Sequence, residues 1–265
     1  MPHIDLALTP FEAHMPDLLR VAAAAEAHGI NGLWIADHFS GAVVGRRWSR
    51  DPFVTLGALA SLTDRVRIGP LVANIRNRHP SQLVSAINSL VSLAPGRVVL
   101  GVGSGAAPGS PFAIEHEAIG TPLGGAAYRR SLLTKYIRAV REMHEPSSDD
   151  RLLITDGAPC PPIIVGASAQ ATVDIAVEHA DGVNLRMGPA TLDLVRRSRL
   201  ARGADFEISV LVWSNTSASL LGSLADAGVD RLVIGVPVGC DAAGAVDAVE
   251  RTRDATAHRS SAGGE

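Results

Sequence analysis

Short apolar runs alternate along the chain with longer segments in which apolar residues recur at helical spacing. Segment 16–28 is typical of the second kind, because its apolar residues share one helical face and Gly29 follows its end. The pattern predicts strands at 3–8, 33–37, 66–72, 98–103, 162–167, 182–185, 207–213 and 231–236. It predicts helices at 16–28, 51–62, 81–93, 128–143, 170–180, 190–202, 217–227 and 242–254.

Strands that alternate with helices pair in parallel, and continuous apolar strands indicate that both faces of the sheet are covered. Eight such units favour a closed (β/α)₈ barrel, with an open doubly wound sheet as the alternative. The 265 residues fit one barrel domain over 1–255, followed by a polar tail, 256–265, that we expect to be disordered. Two irregular stretches interrupt the pattern: 104–127, a long loop after strand four, and 147–161.

Composition narrows the range of partners. Hydrophobic residues make up 46% of the chain and the net charge is −3, without the clustered Lys and Arg of a nucleic-acid site. No apolar run is long enough to span a membrane, and we expect no secretory leader, because the first ten residues lack a basic segment and a long apolar run. The distant Cys160 and Cys240 suggest free thiols. We therefore expect a cytoplasmic protein with a small-molecule substrate and no nucleic-acid or membrane partner, and a homodimer stays open.

Polar or glycine-rich residues follow four consecutive predicted strands. Asp37 and His38 end strand two, 71–74 ends strand three, "GVGSG" (101–105) ends strand four and 165–170 ends strand five. In a barrel, the carboxyl ends of the strands line the active-site mouth. The four positions are neighbours on one arc of that mouth, so together they could hold one extended ligand.

Each position also has an ordinary structural explanation. Asp37 and His38 could form a turn or capping pair, and "GVGSG" lacks the third glycine of a dinucleotide fingerprint. Ser168 could simply cap the following helix. A helix N-terminus, however, also offers free N–H groups to a phosphate.

Metal chemistry and nucleophilic hydrolysis lack their motifs. The chain has no H-x-H, H-E-x-x-H or G-x-S-x-G pattern, so we expect no metal centre and no serine nucleophile. His79, His116 and His179 are scattered and are expected to be structural or on the surface. Glu115 and Glu117, in "EHEAIG" of the long loop, are expected to be solvated, with a role towards the substrate as the alternative.

Several of these segments, taken in order, resemble the bacterial-luciferase-like family of flavin- and deazaflavin-dependent oxidoreductases. The resemblance covers most of 17–140 and returns at 162–183 and 224–237. Its clearest pieces are "AAEAHGINGLWIADHF", "DPFVTLGALASLTDRVRIGPLV", "RHPSQLVSAINSLVSLAPGRVVLGVGSG" and "PPIIVGASAQATVDIAVEHADGVN".

The resemblance implies a luciferase-like TIM barrel with its cofactor at the carboxyl-terminal rim. It also implies a non-proline cis peptide at Leu71–Val72 or Val72–Ala73, where an ordinary trans strand end is the alternative. The implied catalytic residues, by the reactive ring face, are His38 and Asp37. The implied cofactor-binding residues are Leu71, Val72, Ala73 and Asn74 behind the ring, Gly103, Ser104 and Gly105 at the ring or ribityl chain, and Gly166, Ala167 and Ser168 at the phosphate.

The form "LGVGSG" looks more like the branch that uses coenzyme F420, which implies an oxidoreductase that transfers hydride to or from an unknown small organic substrate. An FMN-dependent monooxygenase and a non-catalytic flavin-binding protein of the same fold are the alternatives. Some sugar-oxidising relatives carry a carboxylate at the position of Ala106, and segment 186–205 is short for the family.

A phosphate-binding lyase or isomerase would need Lys or Glu on strands six to eight, which offer only Glu207 at the entry end.

Overall fold

The computed structural model describes residues 1–145, 154–155 and 157–257, and over these residues one sheet of nine parallel strands is surrounded by helices. The strands are β1 (His3–Leu8), β2 (Gly32–Ile35), β3 (Arg67–Pro70), β4 (Ala73–Asn74), β5 (Leu100–Gly103), β6 (Ile163–Ala167), β7 (Gly182–Arg186), β8 (Glu207–Trp213) and β9 (Arg231–Gly235). Most of the irregular stretch 147–161 and residues 258–265 of the expected tail lie outside the described residues.

The helices follow the predicted pattern with one addition. They are α1 (Met15–Ala27), α2 (Pro52–Ala60), α3 (Pro80–Leu93), α4 (Ala113–Ala118), α5 (Ala126–Glu142), α6 (Gln170–His179), α7 (Thr191–Arg202), α8 (Ala218–Asp226) and α9 (Ala242–Ala257), with 3₁₀ turns at Gly41–Val44 and Gly203–Asp205. Helix α4 lies inside the long loop 104–127, where no helix was predicted. None of the helices in the described ranges has the length and apolar character needed to cross a membrane.

The sheet closes into a barrel. Its order is β3-β2-β1-β9-β8-β7-β6-β5-β4, and β3 and β4 are two parts of the predicted third strand. Strand β4 pairs with β5, and β3 also meets the segment leading into β5 through a bridge between Ile68 and Val98. The (β/α)₈ barrel is therefore confirmed and the open sheet is wrong. Predicted strands four to eight correspond to β5–β9.

The third barrel strand breaks at a non-proline cis peptide between Leu71 and Val72, which confirms the first of the two implied positions. Before the break, Leu71 N–H still donates to Ile35 O on the β2 side at 2.9 Å. After the break, Asn74 is in register with Gly103 of β5. The backbone is thus bonded to the β2 side just before the break and to β5 just after it.

Apolar side chains are buried on both sides of the barrel wall, which explains the uninterrupted apolar strands. The larger core fills the space between the strands and the helices. A smaller cluster fills the barrel interior and contains Trp34, Val99, Ile164 and Val233.

Four charged side chains fill the barrel interior at its amino-terminal end. Arg231 lies 3.0 Å from both Asp5 and Glu207, and Arg67 lies 2.6 Å from Glu207. Trp34 Nε1–H donates to Asp5 at 2.9 Å. Burial alone would raise the pKa of Glu207, but the charges of Arg67 and Arg231 outweigh it and lower that pKa. Two cations thus balance two carboxylates at the end of the barrel opposite the mouth.

We expect Arg231→Met to destabilise the protein by about 3–5 kcal/mol, because it leaves the fully buried Asp5 without its cation. Urea unfolding at pH 7 measures this change. The matched control is Arg20→Met, which removes an exposed ion pair with Asp17 and should leave stability almost unchanged. Equal effects of the two substitutions would contradict a stabilising role for the buried cluster.

Candidate active site

The carboxyl ends of β2, β4, β5 and β6 form one continuous arc of the rim, as the sequence predicts. The structure adds a part that sequence reasoning missed. Helix α4 packs beside the 3₁₀ turn Gly41–Val44 that follows β2. The long loop therefore supplies side chains to the mouth.

His38 is held by a buried carboxylate from α4. Its Nδ1 lies 2.7 Å from Glu115 Oε2, and the other carboxylate oxygen accepts the Ser40 N–H at 2.7 Å. The Glu115 side chain is only 1% exposed, so the expectation of a solvated loop residue is wrong for Glu115, although Glu117 is exposed as expected. Because a carboxylate accepts, Nδ1 carries the donated hydrogen and Nε2 is the ring nitrogen left for a ligand.

Aromatic rings enclose the imidazole of His38. The ring centroid of Phe11 lies 5.3 Å away, and Phe112 stacks on the imidazole at 5.7 Å. His38 keeps 18% of its side chain exposed. The histidine is thus fixed in orientation and remains reachable from the mouth.

The next residue of α4, His116, binds the end of the third barrel strand. Asn74 Oδ1 accepts the Arg76 N–H at 3.0 Å, so Asn74 Nδ2 donates to His116 Nε2 at 3.1 Å. This bond requires an unprotonated Nε2, and burial lowers the pKa of His116 in the same sense. His116 is therefore a neutral structural bridge.

Asp37 is buried and joins β2 to the segment after β4. It accepts the Asn74 N–H at 3.0 Å and lies 3.3 Å from Arg78 Nη2, which also binds Asp51 at 2.8 Å. Burial raises the pKa of Asp37, and Arg78 opposes that rise. These contacts give Asp37 a positioning role in the rim. Arg78 was not among the predicted site residues, although its place four residues after the third barrel strand puts it on the same rim.

Val72 occupies the floor of the mouth and explains two of the predicted glycines. A Cβ on Gly103 would lie 2.4 Å from Val72 Cγ2, and a Cβ on Gly166 would lie 3.0 Å from Cγ1. Gly105 has a φ of +79° and lies against Arg76 and Asn74. The structure thus brings these predicted positions together, and their contact with a cofactor stays a prediction.

The remaining predicted residues differ in how deeply their side chains are buried. Leu71 is half-buried beside the interior cluster, and Ser104 is half-buried after β5. The side chain of Ala73 is buried in the outer core, so it does not face the mouth. Ala167 is buried in that core as well, whereas Ser168 is exposed.

Helix α6 begins at Gln170 without a side-chain cap. Its N-cap residue is Ala169, and Ser168 does not cap the helix. The first N–H groups of α6 therefore remain open to an anion. They follow β6 directly, at the same rim as His38.

A family model for luciferase-like monooxygenases matches residues 2–219, which is most of the chain. The protein belongs to this family. The family model supports the resemblance of the sequence segments, and the barrel carries the candidate site at its carboxyl-terminal rim.

Three known proteins show the range of similarity. An F420-dependent glucose-6-phosphate dehydrogenase of Nakamurella multipartita is 29% identical over 191 residues, which are 66% of this chain and 53% of that protein. The structure of an F420-dependent secondary alcohol dehydrogenase in complex with an F420-acetone adduct has a TM-score of 0.76 at 15% identity, covering 97% and 99% of the two chains. The monooxygenase RslO1 from Streptomyces bottropensis has a TM-score of 0.73 at 16% identity, covering 98% and 100%.

The chain spans about half the length of the curated relatives it matches. The solved structures have the same fold over nearly their whole length.

We expect Gly103→Ala to destabilise the protein by about 1–3 kcal/mol, because the added methyl group overlaps Val72. The double substitution Gly103→Ala with Val72→Ala should recover much of that loss. Chemical unfolding of the two single variants and the double variant measures the coupling. If the two effects simply add, Val72 and Gly103 are not in contact.

Proposed function

We propose that the protein is an F420-dependent oxidoreductase that transfers hydride between the deazaflavin and a small organic substrate. The observation that carries this proposal is the His38–Glu115 pair at the rim, which leaves Nε2 of His38 available to a ligand. One of the proteins similar in sequence is an F420-dependent glucose-6-phosphate dehydrogenase, which also supports the proposal.

The residues present fit a planar ring with a phosphate-bearing chain. Val72 offers an apolar surface, and the absence of side chains on Gly103 and Gly166 keeps the floor around it shallow. The uncapped start of α6 lies on the same arc, where Ser168 and the backbone beside it would hold the phosphate. Asn74 would face the polar edge of the ring.

When bound, the deazaflavin supplies a two-electron carrier of hydride. Removal of a hydride from a substrate C–H bond leaves one proton to be lost from the neighbouring O–H or N–H group. Nε2 of His38 would accept that proton, and in the reductive direction the protonated imidazole would return it. Glu115 would hold the ring in place, and Asp37 would fix the strand end on which His38 lies.

Two alternatives within the family remain candidates. The similar fold of the monooxygenase RslO1 supports an FMN-dependent monooxygenase. A non-catalytic flavin-binding protein is favoured by Ala106, which offers no carboxylate after β5. Glu115 is a different carboxylate at this rim, and it is buried next to the partly exposed His38.

We expect the purified protein to bind F420 more tightly than FMN. Small residues line the floor of the mouth, and two proteins similar in sequence are named as F420-dependent dehydrogenases. Fluorescence titration with each cofactor measures the two dissociation constants. Tight binding of FMN without a response to F420 would reject the F420 proposal in favour of the monooxygenase alternative.

Ser168→Asp is the informative variant in the same titration. It places a negative charge at the start of α6 and should weaken cofactor binding at least tenfold if the phosphate lies there. Ser85→Asp makes the same charge change on an exposed face of α3 and should have no effect. If Ser168→Asp binds like the wild type, the phosphate lies elsewhere.

For a substrate that the wild-type protein turns over, His38→Ala should lower kcat by about 10²–10⁴-fold, because the proton acceptor is lost. The dissociation constant for F420 should change little, since the phosphate and floor are untouched. His28→Ala, an exposed histidine after α1, is the control. Undiminished kcat in His38→Ala would remove His38 from the proton transfer.

A further inference from the structure

The opposite arc of the mouth, formed by β7, β8 and β9, carries two conspicuous side chains. Glu207, Ser209 and Leu211 alternate along the interior face of β8, and Trp213 continues that row at the rim. Asn184 of β7 meets Ser209 side chain to side chain at 2.9 Å, so the residue two positions later, Arg186, also lies on the interior face.

Trp213 presents an indole ring at this arc. It is 52% exposed, although tryptophan is usually well buried in a protein of this size. The indole lies against Gly235, where a Cβ would come within 2.4 Å of Cζ3. The glycine therefore makes room for the ring, which offers an apolar surface to the mouth.

Arg186, on the neighbouring strand β7, presents a positive charge at the same arc. Within the described ranges, no carboxylate or carbonyl group accepts a hydrogen bond from its guanidinium. The guanidinium lies 5.4 Å from the ring centroid of Phe112, and Phe112 stacks on His38. Arg186 and the candidate proton acceptor His38 thus both lie against the ring of Phe112.

We propose that Arg186 and Trp213 form the substrate subsite, and that the substrate is an organic acid with a planar or apolar body. This inference rests on the proposed function of the site. Arg186 pairs with the carboxylate or phosphate of the substrate, because a guanidinium binds such groups through two parallel hydrogen bonds. Trp213 packs against the body, which places the rest of the molecule towards His38.

The charged side chains around the mouth support the assignment of Arg186 to the acid group of the substrate. On the β2–β6 arc, Arg78 is paired with Asp37 and Asp51, and the guanidinium of Arg76 donates to Pro122 O at 2.8 Å. Among the described residues, the guanidinium of Arg186 has no such partner. The phosphate of the cofactor is the other source of an acidic group, because α6 follows β6, the neighbour of β7. The experiment has to separate these two anions.

The test measures calorimetric binding of 2-naphthoate, benzoate and phenyl phosphate to the full chain, with and without F420. The uncharged 2-naphthamide is the matched probe without the acid. We expect Arg186→Gln to weaken binding of the acids at least tenfold and to leave 2-naphthamide unchanged. Trp213→Ala should weaken both the acids and the amide, and Arg138→Gln, an exposed cation on α5, should change neither.

The F420 titration of Arg186→Gln distinguishes the two anions. An unchanged affinity for F420, together with weakened acids, supports the substrate subsite. A tenfold loss for F420 with unchanged acid binding would assign Arg186 to the cofactor phosphate and overturn the inference. Failure of all three acids to bind the wild-type protein would also overturn it.

The same data separate this inference from the proposed function. If the wild-type protein binds the acids through Arg186 but binds no F420, the cofactor proposal fails and the acid subsite stands. If F420 binds and the acids do not, the reverse holds. Trp213→Phe adds a check, because quenching of the intrinsic fluorescence by 2-naphthoate should be lost with the indole.

Discussion

The candidate site depends on one short helix that joins two strand ends. Glu115 and His116 are consecutive in α4, and they bind His38 after β2 and Asn74 at the end of β4. A six-residue helix is not stable by itself, so α4 is ordered by these contacts and by its buried neighbours. Both oxygens of Glu115 are hydrogen-bonded, which offsets the cost of burying a carboxylate. The helix and the rim therefore stabilise each other.

The paired structural charges and the candidate proton acceptor lie at opposite ends of the barrel. At the amino-terminal end, Asp5, Arg67, Glu207 and Arg231 are paired with one another, and Asp5 and Arg231 are buried. At the carboxyl-terminal end, His38 keeps one free ring nitrogen. Glu207 thus belongs to the structural cluster, which leaves β7–β9 without the acid–base group that a barrel lyase or isomerase would need there.

Local sequence patterns predicted the fold and the backbone positions of the site, because both depend on short-range order. Strands buried on both faces are uniformly apolar, and the residues after them lie at the rim by topology alone. The partners of the site residues were not predictable in this way. Glu115 lies 77 positions from His38, and nothing in "EHEAIG" shows that the first glutamate is buried while Glu117 is exposed.

The roles of the glycines show a second limit of sequence reasoning. Gly103 and Gly166 were predicted to contact the cofactor, and the structure shows that each glycine also leaves room for the side chain of Val72. Both contacts arise because the side chain of Val72 lies against β5 and β6. A pattern of glycines therefore does not reveal the side-chain packing that the glycines allow.

The two arcs of the mouth differ in the kind of group they leave unsatisfied. On the β2–β6 arc, the buried carboxylates of Asp37 and Glu115 are bonded to Arg78 and His38, and the arc presents an apolar floor with a helix N-terminus. On the β7–β9 arc, an exposed indole and a guanidinium that has no carboxylate partner among the described residues face the same space. A protein that only stored a flavin would need the first arc alone. An aromatic ring and a guanidinium that face the mouth in this way are suited to hold a ligand, so the second arc argues for a second ligand. The orientation of His38, fixed between the arcs by Glu115, is the arrangement that a reaction between two bound molecules requires.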